Sequence, residues 1–376
     1  MNAPAALPAT SPDNRTARLA KPLRQFLQQP WLESIVRFSA IEDTLRAVHP
    51  LLSLAQVRAR VVQVIQETAD CKTFILQPNA LWQRNTLAGQ YVRVRCEIDG
   101  RRVERLYSLS SLPGARRIAI TVKRQSGGKM SEHLHARVGV GSVLELSQAM
   151  GEFVLLDALP ERILLLSAGS GITPVMAMLR DLQARRYRGN LVFLHTCRNA
   201  DELIFARKLR EIAAAFPGLQ LQLHFSREAG RLTMAQLQQT VADLATRATW
   251  VCGPDSLMQA VQHLWQQQGW ASALQMERFV SAPRLPASAA GSSVAITCTT
   301  SGRQFATHGT EPLLVQAERA GLQPKHGCRI GICRSCQCIK RRGTVENLQN
   351  GEISSEPDQL IRLCISAARS DLQLEL

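Results

Sequence analysis

The chain has 376 residues, 45% of them hydrophobic and 20% charged, with 45 Lys and Arg against 30 Asp and Glu for a formal net charge of +15. That length predicts two or three domains rather than one, and no apolar stretch reaches the roughly 18–20 residues a membrane-spanning helix needs. Aromatics make up only 5% of the chain and the basic residues fall in short pairs such as Arg101-Arg102 and Arg185-Arg186, which favours anionic cofactors or an acidic protein partner over nucleic acid.

The N-terminus, MNAPAALPATSPDNR, lacks the basic start and apolar core of a secretory signal, so a cytoplasmic chain is the expectation. Residues 1 to about 20 predict disorder. From Lys21 to Leu54 short helical pieces follow, broken by Pro22, Pro30 and Pro50, with an apolar face of Trp31, Ile35, Val36, Phe38, Ile41, Leu45 and Val48. That face suits packing on the next domain, the alternative being a partner or a membrane surface.

From Val57 to about Leu156 the segments VRARVVQVIQ, KTFILQP, QYVRVRCEI, RRVERLYSLS and RRIAITVKRQ alternate apolar and polar residues between turn signals, predicting an antiparallel β-barrel. Within it stands Arg105-x-Tyr107-Ser108-x-Ser110, and about twenty residues later Gly127-Gly128-Lys129-Met130-Ser131 opens a helix. A guanidinium can pair with a diphosphate, an aromatic ring can stack on an isoalloxazine, and amides at a helix N-terminus attract phosphate. Taken alone, R-x-Y-S is equally a strand tyrosine beside a solvated arginine.

From Glu161 to about Phe279 the pattern becomes βαβ. RILLLSAG and LVFLHTC read as buried parallel strands, and residues 174–186 and 201–215 as helices. Ser167-Ala168-Gly169-Ser170-Gly171-Ile172-Thr173-Pro174 follows the first strand. It is a glycine turn without the third glycine of the dinucleotide fingerprint, in which Thr173 suits a cap and Pro174 the first helical turn. Val251-Cys252-Gly253-Pro254 places a second glycine turn at a strand end, where open α/β sheets bind ligands. Arg198 ends LVFLHTC in place of an acid that would grip a ribose hydroxyl, and Ser226-Arg227 ends another strand with Arg231 nearby. This set suits a 2′-phosphate and favours NADPH over NADH, surface arginines being the alternative.

Residues 281–293 form a Pro/Ala/Ser linker. Beyond it, KHGCRIGICRSCQC and RLCIS carry Cys328-x4-Cys333-x2-Cys336 and Cys364, the plant-type ligand order of a [2Fe–2S] cluster. Zinc is the alternative, but it usually takes two short cysteine pairs rather than three ligands in one loop. Gly327 and Gly331 would let backbone amides approach the sulfides, and Cys338 reads as a bystander. Lys340-Arg341-Arg342 follow the loop and would suit an acidic acceptor's docking face, a solvated hairpin being the alternative.

R-L-Y-S-L-S, G-G-K-M-S, G-S-G-I-T-P, C-G-P and the cysteine loop, in this order, resemble the ferredoxin–NADP reductase superfamily fused to a ferredoxin, over about residues 54 to 376. The segment HPLLSLAQVRARVVQV is further similar to bacterial NADPH reductases that serve acyl-CoA or acyl-lipid desaturases. The resemblance implies an N-terminal extension over residues 1–53, an FAD-binding antiparallel β-barrel over 54–157 and an α/β parallel-sheet NAD(P)-binding domain over 158–280. After the linker, an α+β (β-grasp) ferredoxin domain would span 294–376. Arg105, Leu106, Tyr107, Ser108 and Gly128 through Ser131 would hold the flavin. FMN-using relatives carry the same R-x-Y-S element, so FAD is the expectation and FMN the alternative. Gly169, Gly171, Thr173, Arg198, Ser226 and Arg227 would receive the nucleotide, with Ser108, Thr173, Cys252, Glu277 and Phe279 around the reacting atoms. The resemblance implies electron flow from NADPH through flavin and cluster to a protein acceptor, with a membrane-bound diiron fatty-acid desaturase leading and peripheral membrane contact through it. A soluble oxygenase of the phenylacetyl-CoA or aromatic-ring type is the runner-up. A passive redox carrier or sensor is the third reading, and the two nucleotide signatures argue against it.

Overall fold

The computed structural model describes residues 38–279, 293–307, 311–326, 331, 335–348 and 352–376. The chain divides into two compact units, the first running to Glu277 and the second from Arg278 to Leu376. Trp31, Ile35 and Val36, Gly327, Cys328, Cys333 and the 281–293 linker apart from Ser293 lie outside the described residues.

The first unit opens with helix α1 (Phe38–Val48). Ile41 and Leu45 are half-buried and Val48 is 74% exposed, whereas the Glu42 side chain is buried. Glu42 accepts the Ser53 hydroxyl (2.8 Å) and the Leu54 N–H (2.7 Å), so a carboxylate fastens the helix to the chain entering the barrel. Six strands follow: β1 (Val57–Thr68), β2 (Cys71–Pro78), β3 (Tyr91–Ile98), β4 (Arg101–Ser108), β5 (Ile118–Lys123) and β6 (Val143–Leu146). Their order is β4-β3-β6-β1-β2-β5, and the strand pairs are antiparallel. The ring closes just past β4, where Leu109 bridges Ile120 and the Ser110 N–H donates to the Ala119 carbonyl (2.9 Å). Alternation sends Val57, Ala59, Val61, Val92, Val94, Leu144 and Leu146 inward. The other face sets Arg95 against Glu104 and Glu145. Helix α2 (Lys129–Arg137) plugs one end of the barrel with Met130 and Leu134.

A parallel sheet completes the unit. Its strands are β7 (Arg162–Ala168), β8 (Asn190–Cys197), β9 (Leu219–Phe225), β10 (Ala248–Gly253) and β11 (Leu274–Arg278), in the order β11-β10-β7-β8-β9. β10, β7, β8 and β9 run parallel, and the order reverses between β7 and β10, the topological position at which such sheets bind ligands. Between the strands lie α3 (Ile172–Ala184), α4 (Ala206–Ala215), α5 (Ser226–Ala229), α6 (Met234–Thr240) and α7 (Asp255–Gln267). The sequence predicts a helix over 201–215. Asn199 instead caps a short 3-10 turn at Ala200–Glu202, and Phe205 takes a left-handed backbone (φ 63°), so α4 starts only at Ala206. At the amino end of the sheet the buried Arg247 binds Asp243 (2.6 Å), the Asn190 side chain (2.8 Å) and the Ile163 carbonyl (3.1 Å).

The second unit is a β-grasp. Strands β12 (Val294–Cys298), β13 (Gln304–Thr307), β14 (Gln337–Arg342), β17 (Gln359–Arg362) and β19 (Leu372–Leu374) form a mixed sheet ordered β13-β12-β19-β14-β17. β12 and β19 are parallel and the other pairs antiparallel. Helix α8 (Leu313–Arg319) covers it with Leu313, Leu314 and Ala317 buried. A small sheet, β16 (Ile353–Ser354)-β15 (Val345–Asn347)-β18 (Ser366–Ala368), completes the unit. No helix among the described residues is long and apolar enough to cross a membrane.

Candidate functional site

The end of β4 carries Arg105, Leu106, Tyr107 and Ser108. Strand parity puts Arg105 and Tyr107 on one face, opposite Val94 and Val92 of β3. Tyr107 packs against the barrel core, and burial drives its phenol far above the ordinary value, with the Arg105 charge opposing. Arg105 bonds only the neighbouring Glu104 carbonyl (2.7 Å) among the described residues, which leaves most of its fork available to an anion. Ser108 is buried.

At the start of α2, Gly127 needs its positive φ of 72°, and Gly128 precedes the first helical residue. A Cβ on Gly128 would lie 2.6 Å from Ser131 Oγ and 2.9 Å from Gln125 Cβ, so the turn admits hydrogen alone. Ser131 Oγ donates to the Gly128 carbonyl (3.0 Å) and accepts from the Gln125 N–H (3.1 Å), fixing the loop. Lys129 is exposed. The Met130 side chain belongs to the barrel core, so that residue offers a ligand only its backbone. Glu132 Oε1 accepts the Gly127 N–H (2.8 Å), leaving the amides of the first helical turn as orphan donors.

The nucleotide turn sits at the carboxyl end of β7. Gly169 has φ 53° and open space where a side chain would be, whereas a Cβ on Gly171 would lie 2.2 Å from the Cys252 carbonyl oxygen. The turn is thereby pressed against the end of β10, and Cys252 pairs with Ser167 in register. Thr173 is not the cap of α3. Gly171 holds that position, α3 begins at Ile172, and the Thr173 hydroxyl donates back to the Ser170 carbonyl (3.1 Å), stiffening the turn from inside. Pro174 does lie in the first helical turn.

Cys252 and Glu277 form a buried wall beside this turn. Burial raises the Cys252 thiol well above its ordinary value, with the Glu277 charge adding to the shift, so it stays a neutral thiol. Glu277 is 8% exposed, its Oε2 has no partner, and burial pushes its carboxyl up to about 8. Phe279 stands one residue past β11 and is 37% exposed. Sequence reasoning passed over a further polar pair on β7 and β8. Ser167 Oγ and His195 Nδ1 are 2.8 Å apart, both side chains are fully buried, and His195 Nε2 has no partner. Burial drops this imidazole to about 3, so it is neutral. Its only sequence signal is a histidine in an otherwise apolar strand.

The carboxyl ends of β8 and β9 bring Arg198, Ser226 and Arg227 together. The Arg227 N–H donates to the Arg198 carbonyl (2.9 Å), and Arg198 reaches Glu202 at 3.5 Å while remaining 68% exposed.

In the second unit Cys336 and Cys364 are buried side by side, Sγ to Sγ 3.2 Å, and the Gly331 N–H donates to Cys364 Sγ (3.2 Å). Two adjacent thiols with an amide donor aimed at one of them fit the donor set of an iron–sulfur cluster. Cys328 and Cys333 lie outside the described residues. Cys338 is buried in the core, as a bystander would be. The basic run behaves differently from the docking face that the sequence suggests. Lys340 is fully buried and its Nζ donates to the carbonyls of Gly343 (2.8 Å) and Ser354 (2.9 Å), while Arg341 pairs with Asp358 (2.7 Å) and Glu375 (2.9 Å). Strand parity explains it, because Lys340 shares the inward face of β14 with Cys338.

Three family models match the chain: an oxidoreductase FAD-binding domain at residues 58–155, an oxidoreductase NAD-binding domain at 165–263 and a 2Fe-2S iron-sulfur cluster binding domain at 296–369. The chain is 37% identical over 339 residues to an NADPH oxidoreductase of Mycobacterium tuberculosis, covering 89% of this chain and 88% of that one. It is 30% identical over 344 residues to the glycine betaine monooxygenase reductase subunit of Pseudomonas aeruginosa, covering 84% and 94%. Among solved structures it resembles phthalate dioxygenase reductase with a TM-score of 0.59 at 22% identity, covering 86% of this chain and 98% of that one.

Proposed function

The chain belongs to the ferredoxin-reductase-type oxidoreductases that join an FAD-binding, an NAD-binding and a [2Fe–2S] domain, and on that premise we propose that it draws electrons from NADPH for a membrane-bound fatty-acid desaturase. Bound FAD and cluster supply the redox chemistry, the flavin accepting a two-electron hydride and the cluster one electron at a time. The chain's own residues bind, orient and shield.

In this reading Arg105 pairs with the flavin diphosphate beside the orphan amides of α2, Tyr107 flanks the ring, and Leu106 and Ser108 complete the strand edge. Gly169 and Gly171 admit the nucleotide backbone at the carboxyl end of β7. Arg198, Ser226 and Arg227 hold its 2′-phosphate, a task suited to guanidinium forks, and their meeting across β8 and β9 supports NADPH over NADH. Cys252, Thr173 and the protonated Glu277 wall off water around the reacting atoms, and Phe279 joins them on the resemblance alone. Cys336 and Cys364, with Cys328 and Cys333, ligate the cluster. The domains run 54–157, 158–280 and 294–376, with the linker over 281–293.

The observation that carries the reading is the joint presence of partnerless polar atoms at the nucleotide turn and a buried thiol pair in the second unit. The desaturase as acceptor rests on the segment HPLLSLAQVRARVVQV. A second reading, the reductase component of a soluble oxygenase, draws on the likeness to a monooxygenase reductase subunit. Reconstitution separates the two. Purified holoprotein with NADPH should support acyl-chain desaturation by desaturase-containing membranes. Turnover of a soluble oxygenase with none by the membranes would favour the second reading.

A further inference from the structure

Two kinds of contact join the barrel to the nucleotide sheet within the first unit. One is close packing: a Cβ on Gly89, in the loop before β3, would lie 2.6 Å from Met178 Cε of α3. The other is a closed polar ring. Glu67 on β1 accepts the Thr73 hydroxyl through Oε1 (2.7 Å) and the Phe205 N–H through Oε2 (3.2 Å). Thr73 meets Thr121 (2.8 Å), and Thr121 meets Ser110 (3.1 Å). The Ser110 carbonyl accepts from Arg180 Nη1. The Arg180 guanidinium lies 5.6 Å over the Phe205 ring, which leads back to Glu67.

Each end of this ring belongs to a functional motif. Ser110 is the last residue of R-L-Y-S-L-S, and Arg180 stands on α3, the helix that the Gly169–Gly171 turn begins. Phe205 holds a left-handed backbone, which an aromatic residue adopts only where its surroundings enforce it. Burial pulls the Arg180 guanidinium below its usual value while the Glu67 charge opposes the shift, so the contact operates where hydrogen bonds are strengthened. Domains joined by ordinary interfaces shift against each other, whereas this seam is fastened at both motifs.

We propose that Arg180 is a positioning residue that fixes the nucleotide turn against the flavin strand. This rests on the reading of those two motifs as the flavin and nucleotide sites. Hydride transfer needs reacting atoms about 3–3.5 Å apart, and a misplacement of about 1 Å can cost on the order of a hundredfold in rate.

The test uses full-length holoprotein with Arg180→Met, Arg180→Lys and Glu67→Gln. The readouts are FAD content, flavin reduction by NADPH, NADP+ affinity, melting temperature and amide exchange at residues 108–112. Arg180→Met should retain FAD and bind NADP+ within about threefold of wild type, yet slow flavin reduction about ten- to hundredfold and speed exchange at 108–112. Arg180→Lys should recover part of the rate, and Glu67→Gln should slow it by less. Wild-type rates in Arg180→Met, or a deficit that only tracks lost FAD or a lowered melting temperature, would overturn the proposal. If Arg180→Met does not fold, wild-type rates in both other variants overturn it. A wild-type protein that NADPH does not reduce counts against the functional reading instead, and unchanged exchange at 108–112 in the variants would still refute the lock.

Discussion

The two ends of the parallel sheet are built on opposite terms. At the amino end Arg247 is buried and its fork is engaged by Asp243, Asn190 and the Ile163 carbonyl. At the carboxyl end His195 Nε2 and Glu277 Oε2 are buried without partners, and glycine turns occupy the strand tips. An unsatisfied buried polar group costs about 1–3 kcal/mol, so the fold concentrates at one end costs it avoids at the other. The difference teaches that the chain itself finishes the amino end, whereas the carboxyl end, where open α/β sheets bind ligands, keeps buried polar atoms unsatisfied.

Breaking the satisfied end should have the largest effect on stability. Arg247→Met leaves Asp243 with Arg162 alone and strips Asn190 and the Ile163 carbonyl of their shared donor, and should destabilise the first unit by about 2–4 kcal/mol in urea unfolding, while NADP+ affinity of the folded fraction stays as in wild type. A parallel loss of affinity would blur the division between the ends. Breaking the open end should do the reverse. Gly171→Ala sets a methyl against the Cys252 carbonyl, so flavin reduction by NADPH should fall by roughly a hundredfold or more with FAD content unchanged. Rapid-mixing absorbance checks both numbers, and a near-normal rate would show that the turn is not the nucleotide's seat.

The buried histidine, whose Nε2 has no partner, sharpens the comparison through pH. Its folded value of about 3 lies below the ordinary 6.5, so the unfolded chain takes up a proton first as pH falls. The stability is complete above pH 6.5 and is lost as pH drops toward 3, about 2 kcal/mol of it by pH 5. His195→Gln should lessen the stability difference between pH 7 and pH 5 by that amount. Glu277 has the opposite sign. Its raised value of about 8 gives stability that is full below 4.5 and lost as pH rises through 8, a loss that Glu277→Gln should remove. The smallest effect belongs to the rim, where Arg198 and Arg227 are only loosely held. Arg227→Ala should raise the KM for NADPH about tenfold, as loss of one charge-assisted contact would, and leave that for NADH unchanged.

The parts that sequence reading reached are those with a local signal. The glycine turns and the strand alternation of the barrel each sit within a few residues, and the matching elements form where the spacing places them; of the cysteine pattern, the described Cys336 and Cys364 do meet. Its errors come from longer range. Thr173 reads as a cap because it precedes Pro174, yet Gly171 supplies the needed backbone and the hydroxyl turns inward. Lys340 reads as a surface charge, but the register of β14 points it into the core, where two carbonyls accept from it. Arg180 carries no signal in the sequence, because its partner at Ser110 is distant along the chain and belongs to another domain. No local pattern announces such a pairing.

The central claim is that one chain carries electrons from NADPH through flavin to the cluster, and anaerobic rapid mixing of the holoprotein with NADPH, followed by absorbance and by electron paramagnetic resonance of frozen samples, tests it most directly. The account predicts bleaching of the flavin band, then reduction of the cluster to its paramagnetic form without any added protein. A bleached flavin beside a cluster that stays oxidised and silent would contradict it.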